Sequence, residues 1–154
     1  MSVDDSGLLT KVKVRPFTSE DELACIRIMN DAMGQGFYWT KVKSLDAQSF
    51  RATTSGEALI VAELARQIVG FASIYIPDNF LHHLYVDPAI QRRGVGAALL
   101  SAMHRIIGSD AGLKCLVQNK TARDFYAANG WVEDSDIGGR GELGDWVWLR
   151  ITAG

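Results

Sequence analysis

The chain has 154 residues, enough for one domain around a single core, and its 47% hydrophobic and 22% charged content is that of an ordinary folded protein, which excludes large-scale disorder. Its formal net charge of −2, from 16 basic and 18 acidic residues, offers no global field for a phosphate backbone or an anionic membrane, so neither nucleic acid nor membrane is an expected partner. No apolar run approaches the roughly 20 residues of a membrane span, and residues 1–10 lack the features of a secretory signal. Cys25 and Cys115 lie far apart and match no metal-ligand spacing, so the expectation is a cytoplasmic protein with two buried free thiols and no metal. Residues 1–10 read as a flexible N-terminal segment and 11–154 as one domain.

Residues 11–17 alternate Lys-Val-Lys-Val-Arg before Pro16, the period of an opening strand with one wet face. Ser19 and Glu22 have the spacing of a capping box, and Leu23, Ile26, Met29 and Met33 continue a helix that stops at Gly34 and Gly36. Phe37-Tyr38-Trp39 follows in a loop, where three adjacent aromatics cannot all face one core; they cap that core or line a substrate cleft. A short helix near 45–52 leads to apolar runs at 58–64 and 68–76, which read as a β-hairpin. Residues 80–86 give a further strand, ended by Asp87-Pro88 because proline cannot donate a ladder hydrogen bond.

From Gly94 onward, Val95, Ala98, Leu99, Ala102, Met103, Ile106 and Ile107 mark the clearest helix of the chain. A strand at 113–118 precedes a helix capped by Asn119 and stopped by Gly130, and 145–151 forms a closing strand. Between these last two elements, residues 137–144 hold four glycines in eight positions, which predicts a mobile loop. The order of elements specifies a mixed α/β architecture. Exposed strand edges near Trp146 and Trp148 are compatible with a homodimer.

The junction of the 80–86 strand with the long helix carries the chemistry. A helix start offers unpaired N–H groups and about half a positive charge, and Gly94 and Gly96 remove side chains that would keep an anion from the backbone. Arg92 and Arg93 add charge. A dinucleotide fingerprint would need a third glycine where Leu99 stands, and a Walker loop needs Gly-Lys-Ser/Thr, which is absent.

Gln91-Arg92-Arg93-Gly94-Val95-Gly96 resembles the Q/R-x-x-G-x-G/A signature of the GCN5-related N-acetyltransferases. Leu84-Tyr85-Val86-Asp87-Pro88 is similar to that family's preceding strand. The stretch from Asn119 through Ala122, Phe125, Tyr126 and Gly130 to Trp131 is similar to its N-x-x-A-x-x-F-Y-x-x-x-G-F/W segment. The resemblance implies an α/β fold with a mixed, mostly antiparallel central sheet, helices on both faces and a splay between the fourth and fifth strands. It implies a single N-acetyltransferase domain over 11–154 that moves an acetyl group from acetyl-CoA, as co-substrate, to a primary amine on a small molecule or peptide. Gln91, Arg92, Arg93, Gly94, Val95, Gly96 and Ala97 would hold the pyrophosphate, Leu84, Tyr85 and Val86 the pantetheine arm, and Asn119 the cofactor as well as its own helix.

Within that resemblance Tyr126 matches the usual acid, a phenol protonated at neutral pH that can give its proton to the departing thiolate. The base is His82, with His83 or a water chain as alternatives; strand alternation lets only one of the histidines face the cleft unless a bulge intervenes. Five acidic residues against one basic over 133–145 would favour a cationic acceptor or simply be a solvated loop. Neither cysteine has an evident activating base, which disfavours a covalent thiol route. A non-catalytic acyl-CoA sensor and a transferase of longer acyl groups stay open as alternatives.

Overall fold

The computed structural model describes residues 2–3, 9–36, 43–90, 93–108 and 110–151. Apolar side chains crowd the strands Ala58–Leu64 (β2) and Gln67–Tyr75 (β3) because both faces of these strands are buried. They form the predicted hairpin, whose turn residues Ala65 and Arg66 both adopt positive φ, 51° and 65°. This is the twist that a two-residue hairpin turn requires. Lys13–Pro16 (β1) pairs with β2 at the edge of the sheet, where Pro16 is tolerated. Phe80–Val86 (β4), Ala111–Leu116 (β5), Val132–Gly141 (β6) and Gly144–Ile151 (β7) complete a seven-stranded sheet of order β1-β2-β3-β4-β5-β7-β6. Every neighbouring pair is antiparallel except β4 and β5. Ser2–Val3 and Leu9–Thr10 pair as a separate short ribbon.

Helices cover both faces. Glu22–Gly36 (α1) and Ala47–Thr53 (α2) enclose one core, in which Cys25, Ile28, Met29 and Phe50 meet Val61 and Phe71. Val95–Ile107 (α3) and Lys120–Ala128 (α4) enclose the other, where Leu99, Met103 and Tyr126 pack on Ala62, Ala72, Ile74 and Leu113. Cys25 and Cys115 are buried free thiols, as expected. Among the described residues no helix is long and apolar enough to cross a membrane.

Three local expectations are corrected. The capping pair lies one residue earlier than the spacing suggested: Asp21 accepts from the Thr18 N–H at 2.8 Å, while Glu22 takes Arg51 at 2.6 Å. Arg15 explains the choice, since it donates to Asp21 at 2.8 and 2.9 Å and to Glu63 at 2.6 Å, tying β1, β2 and the start of the helix together. The glycine-rich stretch 137–144 is not a loop but the end of β6, the turn and the start of β7, with Gly138, Gly139 and Gly141 in register with β7. The indole of Trp146 fills the space over Gly139, where a Cβ would lie 2.8 Å from the ring. The third correction follows: β7 sits between β5 and β6, so the strand of Trp146 and Trp148 presents no free edge to a second copy. The aromatic stretch Phe37-Tyr38-Trp39 lies outside the described residues.

Candidate active site

β4 and β5 run parallel but touch only where they begin. Their one register pair among the described residues is Phe80↔Gly112, and beyond it the strands diverge. Leu84, Tyr85 and Val86 therefore border a gap rather than a neighbouring strand, and this gap opens into a cavity of about 500 Å³. Arg93, Gly94, Val95, Gly96 and Ala97 close one side of the cavity and Asn119 and Tyr126 the other. The structure thus brings together all the expected cofactor-loop, strand and helix residues that lie among those described. Gln91 and Arg92 are outside the described residues. Ala32, Ile90, Thr121 and Phe125 also line the cavity; nothing in their local sequence distinguishes them from core residues.

The loop side is built for an anion. Asp87 ends β4 by accepting from the Ala89 N–H at 3.0 Å, and Arg27 on α1 donates to it at 3.0 Å. The chain then reaches Gly94, which occupies the N-cap of α3 with φ 77° and provides no side-chain cap. Left-handed backbone of this kind strains any residue with a Cβ. The first-turn N–H groups of α3 have no partner within the helix, and its dipole adds partial positive charge beside Arg93. Gly96 is needed for a different reason: a Cβ there would lie 2.8 Å from the Phe125 ring, so its hydrogen lets α3 and α4 approach. Asn119 caps α4 by accepting from the Ala122 N–H at 3.2 Å while also facing the cavity.

Tyr126 is at once core and cavity wall. Its ring packs edge-on against Phe125 and Trp131, with centroids 5.2 and 5.6 Å away, and the backbone N–H of Trp131 donates to the Tyr126 carbonyl at 3.0 Å, a turn made possible by Gly130 at φ 89°. Burial raises the pKa of the Tyr126 phenol above the ordinary tyrosine range. The same cause pushes Tyr85 up to about 12. Burial likewise raises Cys25 to about 12 and Cys115 to about 11, the reverse of what an active thiol needs.

The histidines lie on the other face of the sheet. β4 carries a bulge: Ser73 pairs with His83 and Ile74 with Leu81, so His82 is the extra residue. The bulge overturns the expectation that the two rings face opposite ways. His82 joins His83 on the face covered by α1 and α2, with ring centroids 3.8 Å apart and planes 26° apart. Leu81 in turn drops into the core beneath α3. His82 Nδ1 lies 2.6 Å from Glu57 Oε2, and His83 Nε2 lies 3.2 Å from the Thr53 hydroxyl. Burial, then the neighbouring His82, lowers the pKa of His83 to about 3. Glu57, His82 and His83 hold donor atoms within 4.8 Å of one another, but near-parallel rings aim their in-plane lone pairs side by side, an arrangement suited to hydrogen bonding more than to a shared ion. Phe80 extends the aromatic row and stacks on Trp148 of β7, 5.8 Å away and 5° from parallel. Sequence reasoning did not find Glu57, which stands alone ahead of β2.

Of the acidic residues in 133–145, Glu133 is paired with Arg123 at 2.6 Å and Asp145 with Arg140 at 3.1 Å. The local negative field is weaker than the count of carboxylates suggests.

Comparisons with known proteins bear on the fold. Several solved structures share the fold. A GCN5-related N-acetyltransferase from Rhodopseudomonas palustris is 22% identical, with 95% of this chain and 99% of that one covered and a TM-score of 0.78. The PaiA N-acetyltransferase of Thermoplasma acidophilum, solved with coenzyme A, is 15% identical over 93% of this chain and 99% of that one, with a TM-score of 0.73. The YncA protein of Salmonella typhimurium, solved with its cofactor acetyl-CoA, is 18% identical over 92% of this chain and 93% of that one, with a TM-score of 0.67. No curated protein matches the chain. A model of the acetyltransferase (GNAT) domain matches residues 55–133, just over half of the chain. With the parted β4 and β5 and the glycine-started α3, this match establishes that the chain belongs to the GCN5-related N-acetyltransferase family.

Proposed function

We propose that residues 11–154 act as a single N-acetyltransferase domain that moves the acetyl group of acetyl-CoA to a primary amine by direct attack in a ternary complex. The observation that carries this reading is the cavity of about 500 Å³ at the parting of β4 and β5, where the uncapped start of α3 and Tyr126 face each other. The fit to acetyl-CoA is chemical: a pyrophosphate is doubly anionic and suits free N–H groups, a helix dipole and Arg93. Gln91 and Arg92, just ahead of that loop, would add to the same contact. The open edge of Leu84, Tyr85 and Val86 suits an extended amide-bearing arm, which can hydrogen-bond there as a strand does, and Asn119 would meet it from across the gap.

In the transfer, the amine nitrogen bonds to the thioester carbonyl carbon, the carbon–sulfur bond breaks, and two protons move. An amine that enters the gap from the α1 and α2 side gives one to His82, and Tyr126, on the α3 and α4 side, gives one to the departing thiolate, yielding an amide and free coenzyme A. Burial keeps the phenol protonated and also makes it a weaker acid, so it yields its proton only as full negative charge develops on the sulfur. The raised thiol pKa values of Cys25 and Cys115 favour this direct route over one through an acyl-cysteine.

Calorimetry with acetyl-CoA, coenzyme A and NADH tests the first step. The native protein is expected to bind the two coenzyme A species and not NADH, and a folded Gly94→Val, Gly96→Val variant to bind neither. Binding that survives the variant would overturn the loop's role. Binding without thiol release in the presence of any primary amine would describe an acyl-CoA sensor instead.

A further inference from the structure

A histidine can take a proton only at a ring nitrogen that lacks one, so a base must hold its existing proton on the other nitrogen. In His82 the structure decides which. Nδ1 lies 2.6 Å from Glu57 Oε2, and a carboxylate only accepts, so Nδ1 carries a hydrogen and, in the neutral ring, Nε2 keeps its lone pair. The two partners differ in access: the Glu57 side chain is 7% exposed and that of His82 34%. The carboxylate is the inner anchor and the imidazole the reachable end.

Glu57 is an expensive residue for mere packing. It sits where α2 turns into β2, and its second oxygen, Oε1, is buried with no hydrogen-bond partner among the described residues. A buried carboxylate held this lightly costs several kcal/mol in general, and an apolar side chain of similar size would serve the core better. What glutamate supplies that an apolar residue does not is the bond to His82. On its other side the His82 ring lies against His83, centroids 3.8 Å apart, and His83 is itself fixed by Thr53 at 3.2 Å. The bulge that places both rings on one face also places them beside this carboxylate.

We propose that Glu57 is a positioning residue for acetyl transfer, fixing the Nδ1–H tautomer and the ring orientation of His82 so that Nε2 can accept the amine's proton, with His83 as the plate on which that ring rests. This inference rests on the reading of His82 as the base.

Ring-nitrogen NMR of His82 tests it without any acceptor. At a pH where the ring is neutral, the native protein is expected to show a protonated Nδ1 and an unprotonated Nε2. Glu57→Leu should shift the ring toward the Nε2–H form that a free imidazole prefers, and Glu57→Gln, whose carbonyl accepts the same proton, should retain most of the native form. If leucine prevents folding, Glu57→Ser takes its place. An unchanged tautomer in the leucine or serine variant would overturn the proposal.

Thiol release from acetyl-CoA, with whichever member of a primary-amine panel reacts fastest, then supplies the kinetic arm. Glu57→Leu should lower kcat about tenfold with the KM for acetyl-CoA unchanged. Added to His82→Ala it should slow the reaction no further, because a residue acting through His82 has nothing left to act on. An equal further loss in that background would mark Glu57 as structural. A slow His82→Ala beside a native-rate Glu57→Leu removes Glu57 alone. A native-rate His82→Ala removes the base reading itself.

Discussion

A histidine kept neutral by burial makes stability depend on pH in a known direction. His83, enclosed beside His82, Tyr85 and Glu57, has a folded pKa of about 3, against about 6.5 for an unfolded histidine. The unfolded chain therefore binds the proton first. The stability tied to the neutral ring is fully present above about pH 6.5 and is lost progressively as the pH falls toward 3. Urea unfolding between neutral and mildly acidic pH should show a falling midpoint for the native protein and a flatter profile for His83→Gln; parallel profiles would mean that His83 is not the source. Tyr126 makes a sharper residue-scale case because one oxygen separates its two roles. Tyr126→Phe keeps the ring between Phe125 and Trp131, so thermal stability should change little, whereas turnover should fall at least about tenfold if the phenol protonates the thiolate. Stopped-flow thiol release with calorimetric control of acetyl-CoA binding separates the two, and an unchanged rate would remove Tyr126 from the mechanism.

At the scale of elements, two indoles have been given room by two glycines. The Trp148 ring of β7 covers Gly112 of β5 so closely that a Cβ there would lie 2.0 Å from it. Gly112→Ala should cost about 1–3 kcal/mol by overpacking, read as a lower urea midpoint, and Trp148→Leu in the same chain should recover part of that loss. Additive losses would show that the ring is not what the methyl meets. The same pairing explains why β6 was hidden in the sequence. Its residues are exposed almost throughout, so no apolar face gives the alternation by which strands are recognised, and its glycines, which read as freedom, are space for Trp146. β4 was legible to the residue at both ends, yet its bulge was not, since Leu81, His82 and His83 carry no local signal of which one will be left unpaired. Continuous features of the site, the Gly94–Gly96 start of α3 and the Asn119-to-Trp131 stretch, could be read directly. Glu57 could not, because it meets His82 across 25 residues of chain.

On the scale of the whole molecule, the sheet divides into two plates, β1-β2-β3-β4 and β5-β7-β6, joined along β4 and β5 at Phe80 and Gly112. Backbone groups of Leu84, Tyr85 and Val86 that would pair with a fifth strand in a continuous sheet face the gap instead. Hydrogen exchange should therefore find those amides that point away from β3 poorly protected in the free protein and strongly protected once acetyl-CoA is added. Equal protection in both states would contradict an arm laid along β4.

Phe80 and Trp148 face each other across the line where those plates join. An indole in that place is a built-in lamp: the colour and intensity of its emission depend on how much water and which neighbours surround it. The spacing of the plates can then be followed by fluorescence in unlabelled protein, with Trp148→Phe as the dark control that separates its light from that of the other tryptophans.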